Sequence, residues 1–296
     1  MPEAGCAICG DAGASVVLPA CPATDTDDTF RIVRCAGCGT LRTDPVPADL
    51  GPYYATDLAR TMTHAGSGLF ARLRRVQLGR EWRRVRAVVD PGVVLDLGCG
   101  VGDFARRIAD AGDRVVAADA SATPPAMLAR PPVVPYRRFD FDTLAFSPPL
   151  DVPPDTVVLR HVLEHVRAPT TLLRTLADLG VRTVYIVVPN ASSRERRLLG
   201  VDWYLWDPPR HVWHFDAETL AGVLARAGYA VATSGRDTAP TLVPSVYRWL
   251  RRRGAPAVAY RPFGPTGLLS ALGAPLNLLT AGNVIWAVAH APSAPF

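Results

Sequence analysis

Residues 93–104 read Val93-Val94-Leu95-Asp96-Leu97-Gly98-Cys99-Gly100-Val101-Gly102-Asp103-Phe104. The first five form a short apolar run that predicts a buried strand. The glycines predict a turn, and the pattern through Ala111 predicts a helix. Strand, glycine loop and helix together make the first unit of a doubly wound α/β sheet. Glycines let the backbone approach a ligand there, and the helix start offers unpaired amides and the positive end of its dipole. A second strand over 114–118 ends in Asp119, 21 residues past Gly98. A carboxylate at that place accepts hydrogen bonds from both hydroxyls of a ribose. The glycines are spaced G-x-G-x-G, which departs from the G-x-G-x-x-G of dinucleotide-binding folds.

Toward the N-terminus, Cys6-Ala7-Ile8-Cys9 and Cys35-Ala36-Gly37-Cys38 form two Cys-x-x-Cys pairs with 25 residues between them, and each is followed by glycine. Two such knuckles predict a tetrahedral four-cysteine zinc site. Four thiolates leave no open coordination position, so the predicted Zn2+ is structural. Cys21 and Cys99 lie outside the pattern. The predicted ribbon spans 1–47 and ends at the prolines of Asp44-Pro45-Val46-Pro47. Residues 48–90 are predicted as a linker and a substrate-side helix over 69–89, with Leu69, Leu73, Val76, Trp82, Val85 and Val89 on its apolar face. Residues 91–296 are predicted as the core.

The segment VVLDLGCGVGDF resembles the first motif of class I S-adenosylmethionine (SAM) methyltransferases, and the likeness extends over roughly 69–290. It implies a seven-stranded class I methyltransferase sheet. The stretch 155–160 would be the fourth strand, with HVLEHV after it as a helix start. Residues 183–188 would be the fifth strand, and 229–233 with 284–289 the last antiparallel pair. In that family the glycine loop wraps the methionine part of SAM and the acid after the second strand binds ribose. The resemblance therefore implies SAM contacts from Asp96, Gly98, Gly100, Gly102, Asp119, Asp140, Phe141 and Arg160, with Asp142 competing with Asp140 near the adenine. Glu164 and His165 would fall on the substrate side. His161-Val162-Leu163-Glu164-His165 also matches the inverted zinc-peptidase motif, but directly after a core strand and with no third ligand evident it is read as part of the methyltransferase.

Residues 203–215 (WYLWDPPRHVWHF) gather three of the six tryptophans and two of the six histidines. Aromatic walls with a few polar groups suit a pocket that orients an acceptor and excludes water. Histidine suits removal of its proton near neutral pH. His214 is preferred over His211 because it stands nearer the next helix, and packing or a lid remains the competing reading for both. A four-cysteine ribbon before the core and PRHVWHF after the fifth strand resemble the bacterial zinc-ribbon methyltransferases that act on deoxysugar nucleotides, polysaccharides and natural products. There, Tyr53 and Tyr54 match an aromatic pair after the ribbon, and His214 aligns with a later histidine. This implies catalytic roles for His214, His211 and Tyr54, and acceptor contacts from Tyr53, Glu164, His165, Trp203, Trp206 and Arg210.

All 32 basic residues are arginine, against 27 acidic ones, and abundant Ala, Pro and Gly accompany them. That usage reads as coding bias, so a net charge of +5 is weak evidence for nucleic acid. The expected partner is a small-molecule acceptor and not a nucleic acid. The alternatives are an RNA methyltransferase with a zinc ribbon, and a non-catalytic SAM-binding module. Absence of a basic segment followed by an apolar run at the start predicts no secretory leader and cytoplasmic residence. The uncharged stretch from Pro262 is broken by Pro275, Asn277, Gly282 and Asn283, which predicts no transmembrane span and at most a weak membrane contact.

Overall fold

The computed structural model describes residues 5–24, 26–54, 69–254 and 281–291. Within them the chain falls into two compact units. One draws on Met1–Met62, Val188–Gly222 and Gly235–Trp286, and the other on Thr63–Val187, Val223–Ser234 and Ala287–Phe296.

The first unit is organised by a four-stranded sheet. β1 (Ala14–Pro22), β2 (Thr29–Cys35) and β3 (Leu41–Asp44) run antiparallel in order, and β10 (Trp213–His214) adds to β3 as the fourth strand. Both knuckles close in the same way. The Gly10 amide donates to the Cys6 carbonyl at 2.7 Å and the Gly39 amide to the Cys35 carbonyl at 3.0 Å. Gly10 and Gly39 sit at φ +80 and +72, a conformation that a side chain disfavours. One face of the sheet packs Ile32 and Leu41 against Cys21, Ala191, Trp203 and Trp206, all buried.

The second unit is built on the sheet that the glycine motif predicts. β4 (Val93–Leu97) pairs in parallel with β5 (Arg114–Asp119) on one side and β8 (Thr156–Arg160) on the other. β6 (Tyr136–Asp140) extends it beyond β5, and β9 (Thr183–Pro189) beyond β8. Every residue of β4 is buried, as expected for a central parallel strand covered on both faces. Successive strands run outward from β4 in opposite directions, so the crevice at its C-terminal end is a topological switch point, where such sheets bind ligands. The full order is β11-β12-β9-β8-β4-β5-β6-β7, with β11 (Ala230–Asp237), β12 (Val284–His290) and the three-residue antiparallel edge strand β7 (Ala145–Ser147). The sheet thus has eight strands against the seven expected, and β7 is the addition.

Two local expectations are corrected. HVLEHV does not open a helix. Residues 161–166 form a turn, with His161 at φ +55, and the helix begins at Pro169. The two motif histidines therefore do not share a helix face. The helix Leu69–Arg86 buries Leu78, Glu81, Trp82 and Val85, whereas Val76 is half exposed. Of the uncharged C-terminal stretch, 262–280 lies outside the described residues. Among those described, no helix is long and apolar enough to cross a membrane.

Candidate active site

In the second unit, the loop from Gly98 to Gly102 joins β4 to the helix Asp103–Asp110. Gly98 is at φ +77, and a Cβ on it would stand 2.4 Å from a methyl of Val162. Gly100 is at φ +54, but no atom lies within 4 Å of where its Cβ would be. The loop backbone therefore packs tightly on one side and borders open space at Gly100, as a cradle for a ligand must. Gly102, at φ +80, leads into the helix. The Gly100 amide donates to Oδ2 of Asp119 at 2.8 Å, and the Ala120 amide donates to Oδ1. Each carboxylate oxygen keeps a second acceptor position, so Asp119 both fixes the loop and has capacity for ribose hydroxyls.

Asp96 is buried in β4, with Oδ2 lacking a hydrogen-bond partner. Burial raises its carboxyl to about 7, against the opposing charge of Arg160. Arg160 is itself buried, donating from Nε to Glu81 at 2.9 Å and lying 4.6 Å over the Phe104 ring. Asp140 accepts from the amides of Asp142 and Thr143 at the end of β6, and Phe141 packs edge-on against Phe139 at 4.9 Å. Glu164 is fully buried, with Oε1 3.2 Å from Nδ1 of His161, while the His165 amide donates to the Val162 carbonyl.

In the first unit, residues 203–214 present a different face from the aromatic pocket wall expected of them. Trp203 and Trp206 are fully buried core residues with rings 5.3 Å apart, and Trp206 donates to the Gly200 carbonyl. Tyr53 packs edge-on against Phe30 and donates its hydroxyl to Asp28 at 2.8 Å, while Tyr54 is exposed. Arg210 grips Asp207 with two donors, Nε to Oδ2 at 2.8 Å and Nη2 to Oδ1 at 2.6 Å, and reaches the Tyr53 carbonyl. Burial would raise the Asp207 carboxyl, but the charges of Arg210 and His211, with the hydrogen bonds from Arg210 and Thr24, together hold it below the usual range. Thr24 donates to the same carboxylate at 2.6 Å.

The two histidines differ in what their rings can do. Nδ1 of His211 lies 2.9 Å from the Leu205 carbonyl. A carbonyl only accepts, so Nδ1 carries the hydrogen and, in the neutral ring, Nε2 carries the lone pair. His214 is tied through Nε2 to Thr43 Oγ1 at 3.2 Å, and that hydroxyl donates its own hydrogen to the His211 carbonyl. His214 Nε2 is therefore the protonated nitrogen. Burial, with the His211 charge adding to it, pushes the His214 imidazole well below its ordinary value and keeps it neutral.

At the N-terminus the sulfurs of Cys6, Cys9, Cys35 and Cys38 all lie within 4.8 Å of one another, with Cys6–Cys38 at 3.8 Å and Cys9–Cys35 at 3.5 Å. Tetrahedral Zn2+ with bonds of about 2.3 Å needs sulfur separations of about 3.8 Å. The donor set fits.

The methyltransferase-domain family model matches residues 70–234, more than half of the chain. The chain belongs to this family. It is a class I SAM-dependent methyltransferase, and the match takes in the whole of the glycine motif and the strands β4 to β9 around it. A putative methyltransferase from Bacillus halodurans is similar in fold: TM-score 0.50 and 14% identity over 73% of this chain and 99% of that one. The magnesium protoporphyrin IX methyltransferase of Synechocystis, solved with bound SAH, gives TM-score 0.45 and 20% identity over 62% of this chain and 90% of that one. No curated protein matches the sequence. Thr43, Asp207 and Glu81 belong to the methyltransferase's polar framework without being expected from the sequence. Only Glu81 carries a sequence signal, as the sole acid in an arginine-rich helix.

Proposed function

We propose that this methyltransferase transfers a methyl group to a small-molecule acceptor of a biosynthetic tailoring reaction, with His211 as the base that accepts the acceptor's proton. The fixed tautomer of His211 carries this reading: Leu205 holds Nδ1–H and leaves the lone pair on Nε2. SAM, when bound, supplies an electrophilic methyl on a sulfonium. Gly98, Gly100 and Gly102 would hold its methionine part and Asp119 its ribose, with Asp96, Asp140, Phe141 and Arg160 completing that side. This reading prefers His211 to His214, the reverse of the sequence expectation, because burial disfavours the protonated ring that His214 would have to become as a base. Tyr54 is assigned to the acceptor beside His211. Trp203, Trp206, Tyr53 and Arg210 are assigned to the framework that supports it, and Glu164 and His165 remain assigned to the acceptor side. The four cysteines hold Zn2+ in a closed structural site.

The deciding experiment measures S-adenosylhomocysteine formation from SAM with a small-metabolite extract and with total RNA as separate acceptor pools. Turnover with metabolites alone is the expected result. Turnover with RNA alone would overturn the acceptor class.

A further inference from the structure

Three arginines of the first unit serve neither the cofactor loop nor the histidines. Arg196 stands on the short helix Arg194–Leu199 with its guanidinium 5.7 Å from the centre of the Trp206 ring. Among the described residues that guanidinium takes no hydrogen bond or ion pair, and its Nε is shut off from water. Arg34 on β2 lies opposite Leu41, and Leu41 lies opposite His214. Residues directly opposite in antiparallel strands share a face, so Arg34 projects from the same face as His214, whose ring is 4.8 Å from that of Trp206. Arg34 makes one side-chain bond, to the Gly39 carbonyl at 3.2 Å. Arg197 is exposed on the helix next to Arg196.

These charges act on one another. Burial, followed by the charges of Arg34 and Arg197, holds Arg196 below the usual guanidinium range. The acid within reach is Asp216, and it is occupied: it accepts from the Thr219 amide and hydroxyl and from the Ser192 hydroxyl. Arg34 and Arg197 thus both act on Arg196, whose nearby carboxylate is already committed, and Arg196 is half buried with no acceptor for its donors among the described residues. Leaving such donors unpaired costs free energy that a bound oxyanion recovers. Planar guanidiniums match phosphoryl oxygens two donors at a time.

We propose that Arg34, Arg196 and Arg197 form a binding site for a phosphoryl group, carried by the acceptor. Only the assignment of the phosphate to the acceptor rests on the small-molecule reading. Three guanidiniums suit one or two phosphates and do not extend into the track that a nucleic-acid backbone needs.

The test is calorimetric titration of the zinc-loaded full chain with inorganic pyrophosphate, with a nucleoside diphosphate and with a short single-stranded RNA, at two salt concentrations. It needs neither SAM nor turnover, so it holds or fails independently of the methyl-transfer reading. Pyrophosphate should bind one to one, and the nucleoside diphosphate at least as tightly. Arg34→Gln and Arg196→Gln should each weaken both at least tenfold. Arg197→Glu, at an exposed position that leaves the Trp206 contact intact, should act in the same direction if the first two variants fold poorly. Arg72→Gln/Arg75→Gln, on the exposed side of the helix Leu69–Arg86, should stay within twofold. The proposal is overturned by the absence of pyrophosphate binding at millimolar concentration, by equal losses in the control variant, or by RNA binding in preference with a steep salt dependence.

Discussion

The hydroxyl of Thr43 donates a 2.6 Å hydrogen bond to the carbonyl of His211, and the same oxygen lies 3.2 Å from Nε2 of His214. Thr43 is fully buried, and its own amide donates to the Val212 carbonyl at 2.9 Å. One ribbon side chain thus sets the backbone of one histidine and the tautomer of the other. Thr43→Val leaves both groups buried without this partner, and should cost about 2 kcal/mol in unfolding free energy together with a fall in turnover. Thr43→Ser should restore most of both. Urea unfolding beside an S-adenosylhomocysteine assay reads the two effects, and a valine variant with unchanged turnover would separate the ribbon from the chemistry.

Replacing His211 by Gln should lower kcat by about 10²–10⁴-fold, the usual contribution of a positioned base, while SAM affinity stays within a factor of about two. His214→Gln should act mainly on stability. Steady-state kinetics with the acceptor, run beside SAM titrations, distinguish the two. The reverse ranking would return the base role to His214.

Asp119→Ala removes the acceptor of the Gly100 amide as well as the proposed ribose contact. SAM should bind at least tenfold more weakly, about 1.4 kcal/mol, with little change in melting temperature. Equilibrium dialysis with labelled SAM measures this directly.

The buried Asp96 carboxyl gives a pH dependence of known sign. Its folded value of about 7 lies above the ordinary 3.8, so the folded state holds the proton more tightly than the unfolded chain does. Its stabilising contribution is complete below pH 3.8 and is lost as pH rises through about 7. Asp96→Asn removes this dependence. Across that window the stability of wild type should decline relative to the variant by up to about 1.4 kcal/mol per pH unit. Urea unfolding of both proteins at about pH 5, 6, 7 and 8, spanning the shifted range, checks the slope of the difference, and parallel curves would contradict it.

Each purified chain should carry one equivalent of zinc, removable only with a strong chelator or by Cys9→Ser. Because β10 pairs with β3 just past the second knuckle, metal loss should reach the histidine segment. Near-ultraviolet circular dichroism from Trp206 and Trp213 should then collapse in step with metal release, and a spectrum that survives chelation would count against a structural role.

Much of the second unit is legible because its signals are local. The five residues of β4 are bounded by an apolar run ending in glycine, and Asp119 is found by its distance from Gly98. The four cysteines are likewise readable from spacing alone. What sequence reading misses depends on partners distant along the chain. Glu81 looks like solvent-facing polarity until Arg160, 79 residues on, completes an ion pair, and Val76 falls on the expected buried face through the same misreading. Trp203 and Trp206 resemble pocket walls because an aromatic cluster has the same composition whether it lines a cavity or fills a core. HVLEHV looks helical, but His161 at φ +55 turns the chain first. Thr43 gives no signal at all, since a threonine in a short strand is ordinary until its neighbours are known.

The fourth ribbon strand also has a consequence for synthesis on the ribosome. The knuckles can take up metal once residue 38 has emerged, but the edge presented by β3 has no partner until His214 follows, 171 residues after Thr43. Through that interval the nascent chain carries an open strand edge, a template for unwanted pairing. Arg42, on that edge and facing the side opposite His214, places a charge where a stray strand would dock. A chain truncated before residue 213 would keep the metal site and lose the strand that closes it, so aggregation of such fragments would reflect an uncapped sheet and not a failure to bind zinc.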